Sequence, residues 1–458
     1  MLAARGPLRI DRSRKGSTRA MDRSCERGTR RSPVFSTMCR EVGVLALASL
    51  SGLVGAPGFT AASPPSKLDD LDAEACYTHQ QVPPLGIVDE QSQRFVDVDE
   101  QGRVLVDAVP AFGAAWKAGE TTYTAFLWDG VNAQPLVPDG FFQTAGLAMN
   151  ERGEVLLLAT DIPGAGTISD LRAPDWTHAV IWKDGEVVAS IPAPGGTIFE
   201  WGQINAHGHA MLSTPPLASG IDWRPRTYLW REGVVTALGE GYAIEFNDAD
   251  DIAGYSYEHP AFLRWREGER QALAADCPPE AFGPRGLPHL NRPGQIAATF
   301  QCDGEPRAML WAGDEVLDLP TLAGAVMTIE DLNDHGQIVG SVPRGGHYVP
   351  VLWDGGPLVE VTLPVDASSG ELKDINEQGR FLGAAYRTDT SDGLLFVGDV
   401  HGTHELEFEW PPGARLGRSE INESGLVAAA MGTGEWEFVR TEVWRPCTIP
   451  PGAGGKAD

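Results

Sequence analysis

Nine residues are written almost identically twice in this chain, LNDHGQIVG at 332–340 and INEQGRFLG at 375–383. Six further copies align on the same letters: VDEQGRVLV from Val98, MNERGEVLL from Met149, INAHGHAML from Ile204, FNDADDIAG from Phe246, LNRPGQIAA from Leu290 and INESGLVAA from Ile421. Their anchors are Asp99, Asn150, Asn205, Asn247, Asn291, Asn333, Asn376 and Asn422, spaced 51, 55, 42, 44, 42, 43 and 46 residues apart. A period of this length implies a small unit that cannot bury its own faces and must stack against copies of itself.

The letters describe a turn. An apolar residue ends one strand, and Asn or Asp follows, where its side chain can bond backbone two residues on. Glycine three residues after the anchor supplies a left-handed conformation. The pairs are Asn150 with Gly153, Asn205 with Gly208, Asn333 with Gly336, Asn376 with Gly379 and Asn422 with Gly425. Unit four has Asp250 in the glycine position, and Asp enters the left-handed region more readily than most residues. Alternating apolar residues then resume as a second strand, which makes each copy a β-hairpin.

A second motif follows each anchor: AFLWDG, AVIWKDG, TYLWREG, FLRWREG, AMLWAGDE, PVLWDGG and TEVWRPC, with LLFVGD and Phe396 standing in for tryptophan in unit seven. Seven of the 13 tryptophans occupy this slot, which assigns it to packing. A strand ends at the aromatic residue, a Gly-containing turn usually follows, and another short strand begins. Each unit is therefore four short antiparallel strands. The fold class is all-β, a β-propeller of about eight four-stranded blades, with seven as the alternative if a terminal unit is incomplete.

The pairing of IN-x-x-G-x-(I/V)-x-G with A-F-L-W-x-G resembles the HAF-type extracellular repeat family over residues 90–450. The resemblance implies secretion and a propeller-like fold. It brings no agreed activity and no catalytic residues. The longer first two units, Asp250 and Phe396 depart from the family pattern.

The ends support the same compartment. Residues 1–62 carry eleven Lys/Arg and four acids, and the apolar run Val42–Ala56 is too short to span a bilayer but fits a secretory core with cleavage near Ala62. Met38 would start a compact signal. Residues 63–75 read as an acidic, proline-bearing linker, 76–450 as one propeller domain and 451–458 as a flexible tail. No other segment is apolar enough for a membrane span.

The formal charge is −27, and loss of the basic leader makes it about −34. Such a chain is repelled by phosphate backbones, which argues against a nucleic-acid partner. Four cysteines remain beyond the leader, and an even set in a secreted chain suggests disulfides. The segment CYTHQQVPPLG resembles a fourth strand arriving early, so a Cys76–Cys447 bond is expected to fasten the ring. Cys277 and Cys302 flank the fifth hairpin and are expected to bond locally.

Motifs of nucleophilic, phosphate-loop or zinc-protease chemistry (GxSxG, GxxxxGK(S/T), HExxH) do not occur. The HGH and HGTH pairs read as turn residues. The densest oxygen cluster is Asp248, Asp250 and Asp251, which could supply part of a calcium shell; no other cofactor is expected. Trp116, Trp176 and Trp223 lie in connecting segments, where exposed aromatics could stack on a ligand. The reading is a secreted, periplasmic or cell-surface monomer that binds an extracellular glycan or protein without catalysis. A structural or adhesive surface component and a carbohydrate-active enzyme are the alternatives.

Overall fold

The computed structural model describes residues 76–85, 91–110, 123–163, 176–214, 224–256, 261–273, 277–278, 282–387, 393–410, 414–432 and 438–447. The leader, the linker, the tail, Trp116 and Trp223 lie outside them. Among the described residues there are eight antiparallel sheets, seven built from the strands of one repeat in sequence order and the eighth completed by a strand from the chain start. Blade one consists of Gln91–Val98, Val104–Pro110, Thr124–Trp128 and Ala133–Pro135. The first strands of the other blades are Gln143–Met149, Trp201–Ile204, Tyr242–Phe246, His289–Leu290 (with Phe282–Pro284 beside it), Thr328–Leu332, Ala367–Ile375 and Arg415–Ile421. Each first strand touches the first strand of the next blade, and that of blade eight touches that of blade one. The sheets form a closed eight-bladed β-propeller.

Burial follows from this order. Second strands such as Val155–Thr160 and Val427–Gly432 are buried throughout, because neighbouring blades cover both faces. Fourth strands such as Glu315–Asp318 are exposed throughout. The apolar core is split into eight clusters, one in each seam between neighbouring blades. The slot tryptophan of each blade faces the preceding one. Trp265, for example, packs on Met211 and Leu229 and donates Nε1–H to the Leu238 carbonyl at 3.1 Å.

Cross-strand register places these tryptophans against the first residue of the second strand, as in Ile338 opposite Trp353 and Val427 opposite Trp444. Blade seven corrects the sequence reading of Phe396. Phe381 stands opposite Gly398, and Phe396 lies two pairs along, opposite Gly383. The slot's bulk has moved across the strand pair: Phe381 fills the space above Gly398, and a Cβ on Gly383 would collide with the Phe396 ring.

Closure uses the chain start. Tyr77–Gln81 pairs antiparallel with Phe438–Pro446 as the outer strand of blade eight. Cys447 N–H donates to the Cys76 carbonyl at 2.8 Å, and the Cys76–Cys447 disulfide joins the same residues with Cα atoms 5.3 Å apart. Gln93 of blade one takes the Thr441 N–H at 3.1 Å and donates to the Pro83 carbonyl at 2.9 Å. Arg445 donates to the Gly102 carbonyl at 2.8 Å and lies over the Trp128 ring at 5.7 Å. A second disulfide, Cys277–Cys302, spans 25 residues of blade five. Two disulfides fit an oxidising compartment outside the cytoplasm. Among the described residues no helix is long and apolar enough to cross a membrane.

The two disulfides are predicted to differ in effect. The first closes 371 residues and the second 25, so loop-closure entropy assigns them about 6 and about 3.5 kcal/mol. Denaturant titration of Cys76→Ser/Cys447→Ser and Cys277→Ser/Cys302→Ser double variants should show the larger loss in the first pair.

Candidate ligand-binding site at the propeller axis

The anchor asparagines link the blades. Within its own turn, Asn333 Oδ1 accepts the N–H of His335 at 3.2 Å and of Gln337 at 3.0 Å. Its Nδ2 donates to Gln337 Oε1 at 2.9 Å and to the backbone carbonyl of Asn376, the next anchor, at 3.0 Å. The same inter-blade bond runs from Asn150 to Asn205 (2.8 Å), Asn205 to Asn247 (3.2 Å), Asn247 to Asn291 (2.9 Å), Asn291 to Asn333 (2.9 Å), Asn376 to Asn422 (3.0 Å) and Asn422 to Asp99 (2.8 Å). Only the step from Asp99 to Asn150 lacks it, because a carboxylate has no N–H to give. Asp99 pairs instead with Arg103 at 2.6 Å. That seam is bridged by Gly146 N–H to Asp107 Oδ1 at 2.7 Å and Met149 N–H to Asp97 Oδ2 at 2.6 Å. The anchors' glycine partners Gly153, Gly208, Gly336, Gly379 and Gly425 all have positive φ, and Asp250 takes the same conformation at 62°.

Stacking the repeats in space reveals two side-chain rings that turn reasoning overlooked. The residue after each anchor is Glu100, Glu151, Ala206, Asp248, Arg292, Asp334, Glu377 or Glu423. These residues rim one mouth of the axis and also relay between blades. The Asp248 carboxylate takes the Ala206 N–H at 2.8 Å, Asp334 that of Arg292 at 2.6 Å, Glu377 that of Asp334 at 3.0 Å and Glu423 that of Glu377 at 3.0 Å. Arg292 reaches over the mouth to Glu151 at 3.1 Å while pairing with Asp248 at 3.1 Å. Burial works against its charge, but Asp334, Asp248 and Glu151 outweigh it and hold the guanidinium above its ordinary pKa. Burial, reinforced by neighbouring carboxylates, raises the Glu100 and Glu377 pKa values.

The residue two before each anchor is Asp97, Ala148, Gln203, Glu245, His289, Asp331, Asp374 or Glu420. A β-bulge beside this position in several blades, as between Ile329 and Asp331, turns the strand there. The side chains converge on the axis. Glu245 of blade four feels Arg418 and Glu420 of blade eight and Asp374 of blade seven, and burial pushes its pKa up to about 7. Burial alone brings His289 down to about 4. Arg418 keeps 40% of its side-chain surface exposed, yet pairs with Glu420 and lies near Asp97 and Glu245. The signal for both rings was present as two columns of the repeat alignment.

The sequence candidates fare differently. Trp176 is corrected: it is 5% exposed, packed with Phe199 and edge-on to Tyr123 at 6.0 Å, and so belongs to the core between blades two and three. Its segment leads straight into a third strand whose neighbours close over it. Asp248, Asp250 and Asp251 turn to separate partners. Asp250 pairs with His209 (2.9 Å) and Arg231 (2.7 Å), Asp251 with Arg266 (2.5 Å) and Asp248 with Arg292 (3.1 Å). They do not share a centre. Away from the axis, a recess of about 320 Å³ lies where Arg387 and Glu405 pair beside Phe408 and Trp410.

No protein-family model and no curated protein sequence matches the chain. Among solved structures it is similar to the β-propeller domain of the trilobed protease from Pyrococcus furiosus, at 9% identity over 70% of this chain and 96% of that one, with a TM-score of 0.41. It is also similar to dipeptidyl peptidase 4 of Porphyromonas gingivalis (10% identity, 74% of this chain, 57% of that one, TM-score 0.46) and TolB of Acinetobacter baumannii (12%, 78% and 97%, 0.34). At those identities the similarity extends to no site residue.

Replacing Asn333 by Asp keeps the turn acceptor but removes the donor to Asn376. Leaving that carbonyl unpaired in a buried seam is expected to cost about 2 kcal/mol, read as a lowered urea midpoint.

Proposed function

We propose that the protein is a non-catalytic binding module that works outside the cytoplasm and takes a positively charged segment of a protein ligand at the axial mouth. One observation carries this reading: six carboxylates, Glu100, Glu151, Asp248, Asp334, Glu377 and Glu423, rim a single opening, with Arg292 as the one cation of that ring. The chain's formal charge of −27 would steer such a ligand from a distance. Secretion rests on the leader-like first 62 residues, on the resemblance to HAF-type repeats and on the two disulfides. Calcium at the Asp248 turn has less support, since those carboxylates are engaged elsewhere.

The recess beside Trp410 favours a second reading, glycan binding. A sugar face could stack on an aromatic ring there while Arg387 and Glu405 take its hydroxyls.

Isothermal titration of the full propeller with a lysine- and arginine-rich peptide tests the first reading. Binding is expected to weaken about tenfold in Glu377→Gln/Glu423→Gln and to weaken as salt is raised. Absence of binding, or affinity indifferent to both changes, would reject it. Glycan binding abolished by Trp410→Ala would favour the second.

A further inference from the structure

We propose that the inner carboxyl ring is a proton-sharing lock, in which acids of neighbouring blades hold protons between them, so that mild acid tightens the propeller and base loosens it. The geometry is explicit at the seam of blades six and seven. One main-chain donor, Ile375 N–H, serves both Asp331 Oδ2 and Asp374 Oδ1, each at 2.9 Å. That shared donor sets the two carboxyl groups side by side. Ionised carboxylates only accept, so a bond between the two takes a proton on one of them. Asp374 Oδ2 then takes Ile421 N–H of blade eight at 2.6 Å.

The pattern recurs across the ring. Asp97 takes Val98 N–H at 2.8 Å and Met149 N–H of blade two at 2.6 Å, and Glu420 of blade eight lies close enough to help raise its pKa. The lock therefore ties blades six, seven and eight, and blades one and two, through carboxyl-to-backbone bonds, with Asp97 beside Glu420 between the two sets.

Other groups facing the ring do not neutralise it. Arg418 is paired with Glu420 and lies near Asp97 and Glu245. Lys373 is held by Glu371 at 2.7 Å and Glu330 at 3.5 Å. Gln203 donates to Glu245 at 3.1 Å. His289 Nδ1 stands 3.9 Å from Asp331 Oδ1, and burial holds the ring neutral. Burial first, then the neighbouring acids, raise Asp97 and Asp374 well above the ordinary carboxyl range.

The sign follows from linkage. With raised folded-state values, the folded chain binds protons that the unfolded chain has released, so stability rises as pH falls through those values. It is complete below the ordinary carboxyl pKa of about 4. Above about pH 6.5, the ordinary histidine value, His289 is largely neutral in both states and does not mask the effect.

Two measurements on the full propeller decide it. The infrared carbonyl band of a protonated carboxylic acid is expected in the wild type at about pH 7.5 and should diminish in Asp374→Asn. The wild-type thermal midpoint is expected to rise from about pH 8.5 to about pH 6.5, with a flatter profile in Asp331→Asn and Asp374→Asn, whose amides imitate the protonated acid. A wild-type spectrum without the band overturns the proposal even if neither variant folds. A midpoint rise that both variants retain in full overturns it as well.

Discussion

The bond from each anchor asparagine to the carbonyl of the next holds the repeats to one another. A propeller blade is a sheet with two apolar faces and no partner within its own sequence. Apolar packing brings blades together but sets neither their rotation about the axis nor their height along it. The Asn333 amide does both, because its oxygen shapes its own turn while its nitrogen reaches the Asn376 carbonyl. Ala can fill neither role, and the shorter Ser side chain can accept within its turn but cannot also reach the next blade. The relay also explains why the motif's second letter is Asn at seven of the eight anchors while the residues beside it vary. At the exception, Asp99, the seam keeps an Asp97 bond like those of Asp331 and Asp374, and Asp107 adds one to the Gly146 N–H of blade two.

Much of this was legible in the sequence. A turn made by Asn and glycine needs only neighbouring residues, so the hairpins could be read from their letters. The tryptophan slot was legible because seven copies share one register. The early strand Tyr77–Gln81 and its cysteine could be placed because a ring has to close. What was hidden depends on three dimensions. Phe396 looked like a tryptophan substitute, yet the bulk sits on Phe381 across from Gly398. Trp176 looked like a loop aromatic, yet its segment folds into a seam. The acid rings were hidden differently. Two letters before or one letter after an anchor, a single Asp is unremarkable, and its meaning appears only when eight strands place those positions around one axis.

The two rings resolve a conflict common to closed propellers. The inner strands need polar groups, because their bulged backbone leaves N–H groups facing the axis. Carboxylates satisfy those donors well, as Asp97, Asp331 and Asp374 do. With acids at five of the eight inner positions, that solution gathers like charge in a narrow space. One arginine in each ring, Arg292 at the mouth and Arg418 within, offsets part of it. The remaining acid can be neutralised by a proton or by a cation from outside.

Native-state hydrogen exchange, resolved at the eight anchor turns, tests the central claim most directly. If the asparagine relay couples the blades, the N–H of the turn glycines should exchange through one shared opening. The turns joined by Asn links should have closely similar protection, and the seam between Asp99 and Asn150 should depart first. Eight unrelated protection levels, each following the local exposure of its own turn, would contradict the account and reduce the asparagines to local turn formers.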